Sequence, residues 1–410
     1  MKTYKKNYLL ELSEKQQRFL MSKDFYLKKK LEVFEYSEAY VLPTIRAKIR
    51  RPTFVGGVVD TNHKFVKESG IYAYGTNDKV IDSYDFLDEE TVFIDEEVIY
   101  MNTFFNQWGH FLLDSIPRLW YALENKNLKI AYSCVTSINS NITKNNNFGR
   151  VIELLGIPLD RLICVDKKVT RFKKVIVPES SIYEGKYYTE EYAKLINTII
   201  NNSLAIKTTI MLYDKIYLSR KNFALAETKE INEKEVENIF ITNGYKEIFM
   251  EEYSVEEQIH ILNNAKHIVS LSGTLAHNCM FITNENCIFT IINKTYRTNI
   301  IQYQVNELSK AKIDFVDCYI SPMPISNGRG PFWYAVGRCM KEFCEDYNLC
   351  FTHYTKITIK GLLKYYYKWL RTYRNRLLEY KTIGDSDIEE CQIYYNDIRC
   401  FYKKNIKQYF

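Results

Sequence analysis

The chain has 410 residues, 46% of them hydrophobic, which is ample for more than one packed core and excludes wholesale disorder. Its net charge of +6 is carried by residues 360–381, where seven lysines and arginines (Lys360, Lys364, Lys368, Arg371, Arg374, Arg376, Lys381) are opposed only by Glu379. The remainder is balanced, which argues against a nucleic-acid-binding surface.

The N-terminal residues lack the uninterrupted apolar core of a signal peptide. No stretch reaches the ~20 apolar residues needed to cross a bilayer. The ten cysteines include no Cys-x-x-Cys pair, so reduced thiols in a cytoplasmic protein are expected and no metal site is. Residues 1–90 are mixed and weakly patterned, and are assigned as an extension of a first domain over 91–208.

The run "NQWGHFLLDSIPR" (106–118) is the first with chemistry in it. As a helix it places Leu112, Ile116, Leu119, Trp120 and Leu123 on one face. His110, Asp114, Pro117, Arg118 and Tyr121 repeat that spacing about 200° away. Residues four apart on a helix are neighbours, and an imidazole beside a carboxylate suits proton abstraction at neutral pH. The plain alternative is a half-exposed helix with a polar outer face. Pro117 is expected to bend or break it.

Beyond this run, 129–135, 161–166 and 173–180 are short apolar runs rich in β-branched residues and hence buried strands, followed by a helix over 189–205. A second series is more regular: strands at 215–220, 246–253, 267–273, 287–293 and 312–320 alternate with helices at 232–244 and 254–267. The second of these helices opens on a capping box, Ser254 with Glu257. The alternation predicts βαβ units and parallel sheets. It gives two domains, 91–208 and 209–322, divided near 205–212.

Two turns in the second series are candidate ligand sites. In "SLSGTLAHNCMF" (270–281) a buried strand passes through Gly273 into a helical run, where free backbone N–H groups favour an anion. Thr274, His277 and Asn278 add side-chain donors. In "YLSRKN" (217–222), Arg220 and Lys221 leave the end of another strand, and an arginine there can clamp a phosphate. The plain readings are a connecting turn and a solvated charge. "DSD" at 385–387 follows a basic helix rather than a buried strand, so a helix start is preferred over a metal-binding role.

The proline-containing segment 321–331 links to a helical, aromatic and basic extension, 323–410. Within it, 360–381 is amphipathic, with Leu362, Tyr366, Trp369, Leu370, Tyr373 and Leu377 in one stripe. Such a helix can lie on an anionic membrane or pack on the protein's own domains.

Taken in order, "NQWGHFLLDSIPRLW", "YLSRKN", "EINEKEVENIF" and the run from "NGYKEIFMEEY" to "LAHNCMF" resemble glycosyltransferase family 61, whose bacterial members act in capsular polysaccharide biosynthesis. Gln107 stands where that family usually has asparagine. The resemblance covers roughly residues 95–320. It implies an α/β, GT-B-like architecture, two Rossmann-like domains facing a cleft. It also implies inverting transfer of a sugar from a nucleotide sugar, a UDP-sugar, to a glycan or lipid-linked glycan, with no bound metal or other cofactor. On this reading Asp114 or His110 is the base, with Asp114 preferred, and Arg118 and Trp108 serve the acceptor. Arg220, Lys221, Gly273, Thr274, His277 and Asn278 hold the donor. The expected location is cytoplasmic, peripheral to the inner face of the cell membrane. A pyruvyltransferase and a non-catalytic scaffold on a transferase fold are the rival readings.

Overall fold

The computed structural model describes residues 4–47, 54–73, 79–135, 141–221, 230–297, 299–323, 325 and 330–383, without side chains for 4–6, 12 and 373–383. The chain forms two compact units. One comprises Asp24–Thr209 with Ser254–His260, the other Met1–Lys23, Ile210–Tyr253 and Ile261–Phe410. They are called here the N-terminal and C-terminal units.

The chain begins in the C-terminal unit. Strand β1 (Tyr4–Tyr8) lies parallel to a strand from the far end of the sequence (Lys312–Asp317), and helix α1 (Glu11–Ser22) follows it. The first residues were expected with the N-terminal domain, and a buried anchor accounts for the difference. Asp317 accepts the Leu10 N–H at 2.8 Å and the Ser13 hydroxyl. Its neighbour Asn293 donates to it at 2.8 Å, while Tyr8 donates to Asp346 at 2.6 Å. Burial pushes the Asp317 carboxyl up to about 6.

The N-terminal unit holds a seven-stranded mixed sheet. Its strands are β2 (Val33–Ser37), β3 (Tyr40–Arg46), β4 (Phe54–Val59), β5 (Val92–Phe104), β6 (Lys129–Cys134), β7 (Leu162–Val165) and β8 (Thr170–Pro178). The neighbours β8, β5, β6 and β7 run parallel, while β2 and β3 join β8 antiparallel. β6, β7 and β8 match the runs read from the sequence, whereas the long central strand β5 was not read there. The antiparallel flank comes from the weakly patterned first ninety residues. Val98, Tyr100, Ala131, Val165, Phe172 and Val175 fill one face, all buried.

The C-terminal unit is built on six parallel strands. Besides β1 these are β9 (Lys215–Leu218), β10 (Lys246–Ile248), β11 (His267–Leu271), β12 (Ile288–Asn293) and β13 (Lys312–Asp317), in the order β10-β9-β11-β12-β13-β1. The chain leaves β9 for one neighbour, β10, and returns to the other, β11, so the strand order reverses at β9. The helix Glu233–Thr242 is closed by Gly244 at φ +80. The capping box, in the segment Ser254–His260 that counts with the N-terminal unit, forms in both directions: the Ser254 N–H donates to Glu257 at 2.8 Å and the Glu257 N–H to Ser254 at 3.3 Å.

Three expectations change in this unit. The strand over 246–253 ends at Ile248, because it is a sheet edge paired with β9 alone, and turns at Met250–Glu252. The helical run after Gly273 is 3-10 over Thr274–Phe281. Residues beyond 323 are no appendage: Trp333 and the helix Arg338–Asp346, with Met340, Phe343 and Cys344 fully buried, belong to the unit's core. The basic helix spans Ile359–Ile383. The "DSD" at 385–387 lies outside the described residues. Among the described residues no helix is long and apolar enough to cross a membrane.

Candidate functional site

The segment carrying His110 and Asp114 is helical but irregular. It begins as α over Trp108–His110, widens to a π-turn over Phe111–Ser115, tightens to 3-10 over Ile116–Arg118 and resumes at Trp120–Glu124. Pro117 has no N–H to give to the turn before it. Carbonyls freed by these changes of pitch find side-chain donors. Tyr192 donates to Leu112 at 3.1 Å, Asn102 to Asp114 at 3.0 Å, and Ser181 to Pro117 at 2.6 Å. Asn102 does so from a bulge of β5 at φ +144, a conformation costing about 1–3 kcal/mol. Irregular pitch held in this way is characteristic of functional sites.

The polar side of this segment is not a solvated outer face. Asp114 and Arg118 are 4% and 2% exposed, so the half-exposed-helix reading fails. His110 Nδ1 lies 2.9 Å from Asp114 Oδ2. Into the pair comes Lys79, whose Nζ is 2.6 Å from Asp114, 2.9 Å from Glu184 and 3.1 Å from His110 Nδ1. Burial opposes ionisation of Asp114, but Lys79 and His110 outweigh it and hold the carboxyl at about 2. Burial and Asp114 push Glu184 above the usual carboxylate range. Lys79 stays charged against its burial because two carboxylates surround it.

His110, Asp114 and Glu184 present ligand atoms within 4.8 Å of one another, the one such metal-capable group among the described residues. The Lys79 ammonium is within hydrogen-bond reach of all three, so a positive charge already occupies the position a cation would need. His110 Nδ1 faces both the Asp114 carboxylate and the Lys79 ammonium; in the tautomer with the proton on Nδ1 it donates to Asp114 and leaves Nε2 as the acceptor. The His110 side chain is 39% exposed and that of Asp114 2%. Of the two, His110 is the more exposed.

A cavity of about 480 Å³ reaches Asp114 but not His110, and is lined by Asp114, Glu184, Arg118, Tyr72, Tyr183 and Tyr187 among others. Arg118 does not brace Asp114. Its Nε donates to the Pro178 carbonyl at 2.9 Å and its Nη2 to those of Glu68 and Gly70 at 2.5 and 3.1 Å, so it ties the cavity walls together. Trp108 stacks on Phe111 at 6.4 Å and 27° and lies 6.2 Å from Phe148.

The stability of this cluster depends on pH in a predictable sense. Because the folded Asp114 carboxyl lies below its ordinary value, its contribution is present above about pH 4 and is lost as pH falls towards about 2. Asp114→Asn is therefore expected to lower stability by ~2 kcal/mol at neutral pH. In urea titrations the gap from wild type should close on acidification.

In the C-terminal unit three adjacent strands end together. Arg220 follows β9, Gly273 follows β11 and Lys294 follows β12. A Cβ on Gly273 would lie 3.3 Å from Arg220 Nη1 and 3.7 Å from Lys294 Nζ, so two cations converge on one stretch of bare backbone. Both pair with Glu230, Arg220 closely and Lys294 at 3.5 Å. This is where strand order reverses, the usual ligand crevice of open α/β sheets.

The other residues predicted for this site are dispersed. Thr274 is exposed at the start of the 3-10 turn, and Lys221 pairs with Glu237 at 3.9 Å. Asn278 is buried, as is His277, which turns inward to Gln302 at 2.9 Å. Gly273 sits at φ +138, open to glycine and strained for any other residue. Gly273→Ala is expected to lower stability by about 1–3 kcal/mol, measurable by urea titration.

A family model described as glycosyltransferase 61 matches residues 108–289. That span starts two residues before His110 and includes Asp114, Glu184, Arg220, Glu230 and Gly273, and the match supports a glycosyltransferase of that family. No curated protein matches the chain. Lys79 and Lys294 lie outside the matched span and carry no local motif. Glu184 has no sequence signal beyond its residue type, whereas Glu230 opens the run "EINEKEVENIF".

Proposed function

We propose that the chain is an inverting, metal-independent glycosyltransferase of GT-B type. It moves a sugar from a nucleotide sugar, a UDP-sugar, to a glycan or lipid-linked glycan in capsular or other cell-surface polysaccharide synthesis. The observation that carries this reading is the family match over both constellations, His110–Asp114 and Arg220–Gly273.

The N-terminal unit carries the acceptor chemistry. His110 Nε2 takes the proton of the acceptor hydroxyl as its oxygen attacks the anomeric carbon, and the Nδ1–H to Asp114 stabilises the imidazolium formed. This reverses the order of preference read from the sequence: a buried carboxylate held at about 2 by Lys79 and His110 orients better than it abstracts. Tyrosines of the adjoining cavity offer flat apolar faces, and its carboxylates offer acceptors for sugar hydroxyls. Lys79 supplies the fixed positive charge of this site.

The C-terminal unit carries the donor chemistry. As the glycosidic bond to the nucleotide breaks, the electron pair stays on the departing diphosphate. Arg220, Lys294 and the backbone at Gly273 are the groups placed to meet that charge without a metal ion.

Lys79→Met leaves two buried carboxylates side by side without their cation. The expected cost is about 3 kcal/mol in stability, read by urea titration, together with loss of transfer. The functional reading itself is tested by thermal stabilisation with a panel of nucleotide sugars and with phosphoenolpyruvate. A shift with a nucleotide sugar alone supports it; a shift with phosphoenolpyruvate alone points to a pyruvyltransferase.

A further inference from the structure

The helix Ile359–Ile383 has three distinct sides over its first turns. Leu362 and Trp369 pack with Tyr365 around Trp333, Ile231 and Met323, so one side is fixed to the C-terminal unit. A second side is apolar and open: Ile359 is 79% exposed, Leu363 65%, Tyr367 66%, Leu370 55% and Tyr366 39%. These residues recur at i, i+4, i+7, i+8 and i+11, one helical face. The third side is cationic. Lys360, Lys364 and Arg371 are exposed, one residue on from Ile359, Leu363 and Leu370 and so about 100° around the helix. No acid occurs between 359 and 378.

We propose that this helix docks the C-terminal unit on an anionic bilayer, its open apolar side entering the headgroup boundary and its cationic side contacting the lipid phosphates. Charge decides the occupant. A protein groove would have to match a purely cationic flank, and interface cores are depleted of lysine. An anionic bilayer offers hydrocarbon and negative charge together, and interfacial tyrosines suit that depth. The inference is independent of the sugar-transfer reading, since it uses none of its residues.

The test is co-sedimentation of the full chain with vesicles of phosphatidylcholine alone or mixed with phosphatidylglycerol. Three exposed cations predict binding on the order of a hundredfold tighter to the anionic vesicles, weakened by added salt. Leu363→Glu with Leu370→Glu should abolish binding with an unchanged melting temperature, and Lys360→Glu with Lys364→Glu should remove the preference for anionic lipid. Equal or absent binding to both vesicles overturns the proposal. So does a dimer in light scattering that Leu363→Glu dissolves. Binding that appears only after removal of 384–410 also overturns it, because the chain's own C-terminal residues then cover this side.

Discussion

His110→Ala is expected to lower sugar transfer by about 10²–10⁴-fold, the usual contribution of a positioned general base, while leaving donor binding unchanged. The side chain is part-exposed and makes its polar contacts with Asp114 and Lys79, so folding should survive its removal. Asp114→Asn should also lose transfer, for a different reason. An amide cannot hold Nδ1–H and stabilise the imidazolium as a carboxylate does, so the rate constant falls more than acceptor affinity does. The pair is informative together: if Asp114 were the base, His110→Ala would keep most of the activity. The measurement is steady-state transfer with varied acceptor, separating kcat from KM.

Arg220→Ala combined with Lys294→Ala is the second large effect, expected at about 10²–10³-fold in kcat. Both side chains converge on Gly273 from strand ends beside it. Charge on the diphosphate grows as the glycosidic bond breaks, so the cations matter more in the transition state than in the bound donor. Each single variant leaves Glu230 with one cationic partner; the double leaves that carboxylate, whose side chain is 3% exposed, with neither. Adding Glu230→Gln to the double variant separates the two contributions: it should restore stability and leave transfer lost. Calorimetry with a nucleoside diphosphate and steady-state rates read both effects.

What the sequence reveals here follows from how local each signal is. The strands at 129–135 and 287–293 are short apolar runs, and the capping box at Ser254 is complete within four residues, so both are legible directly. The contact between His110 and Asp114 is likewise a helical i, i+4 relation. Pitch is another matter: the π-turn over Phe111–Ser115 depends on Asn102 and Tyr192, which approach from other elements. Burial of the polar side depends on them too, which is why helical phase alone suggested a solvated face. Lys79 and Glu184 reach Asp114 from positions 35 and 70 residues away, and Lys294 reaches Gly273 from the next strand, so none has a period or spacing to betray it. The parallel pairing of β1 with β13 crosses some three hundred residues and rests on the buried Asp317 anchor.

A role for His110 as the base of a glycosyl transfer is tested most directly by one measurement. Purified wild type and His110→Ala are incubated with an acceptor glycan and a panel of nucleotide sugars, and nucleoside diphosphate release is followed together with glycosylated product. One donor is expected to yield both products in equal amounts with wild type, and His110→Ala to be slower by about 10²-fold or more at unchanged donor affinity. Equal rates for the two proteins, or no release from any nucleotide sugar, would contradict it.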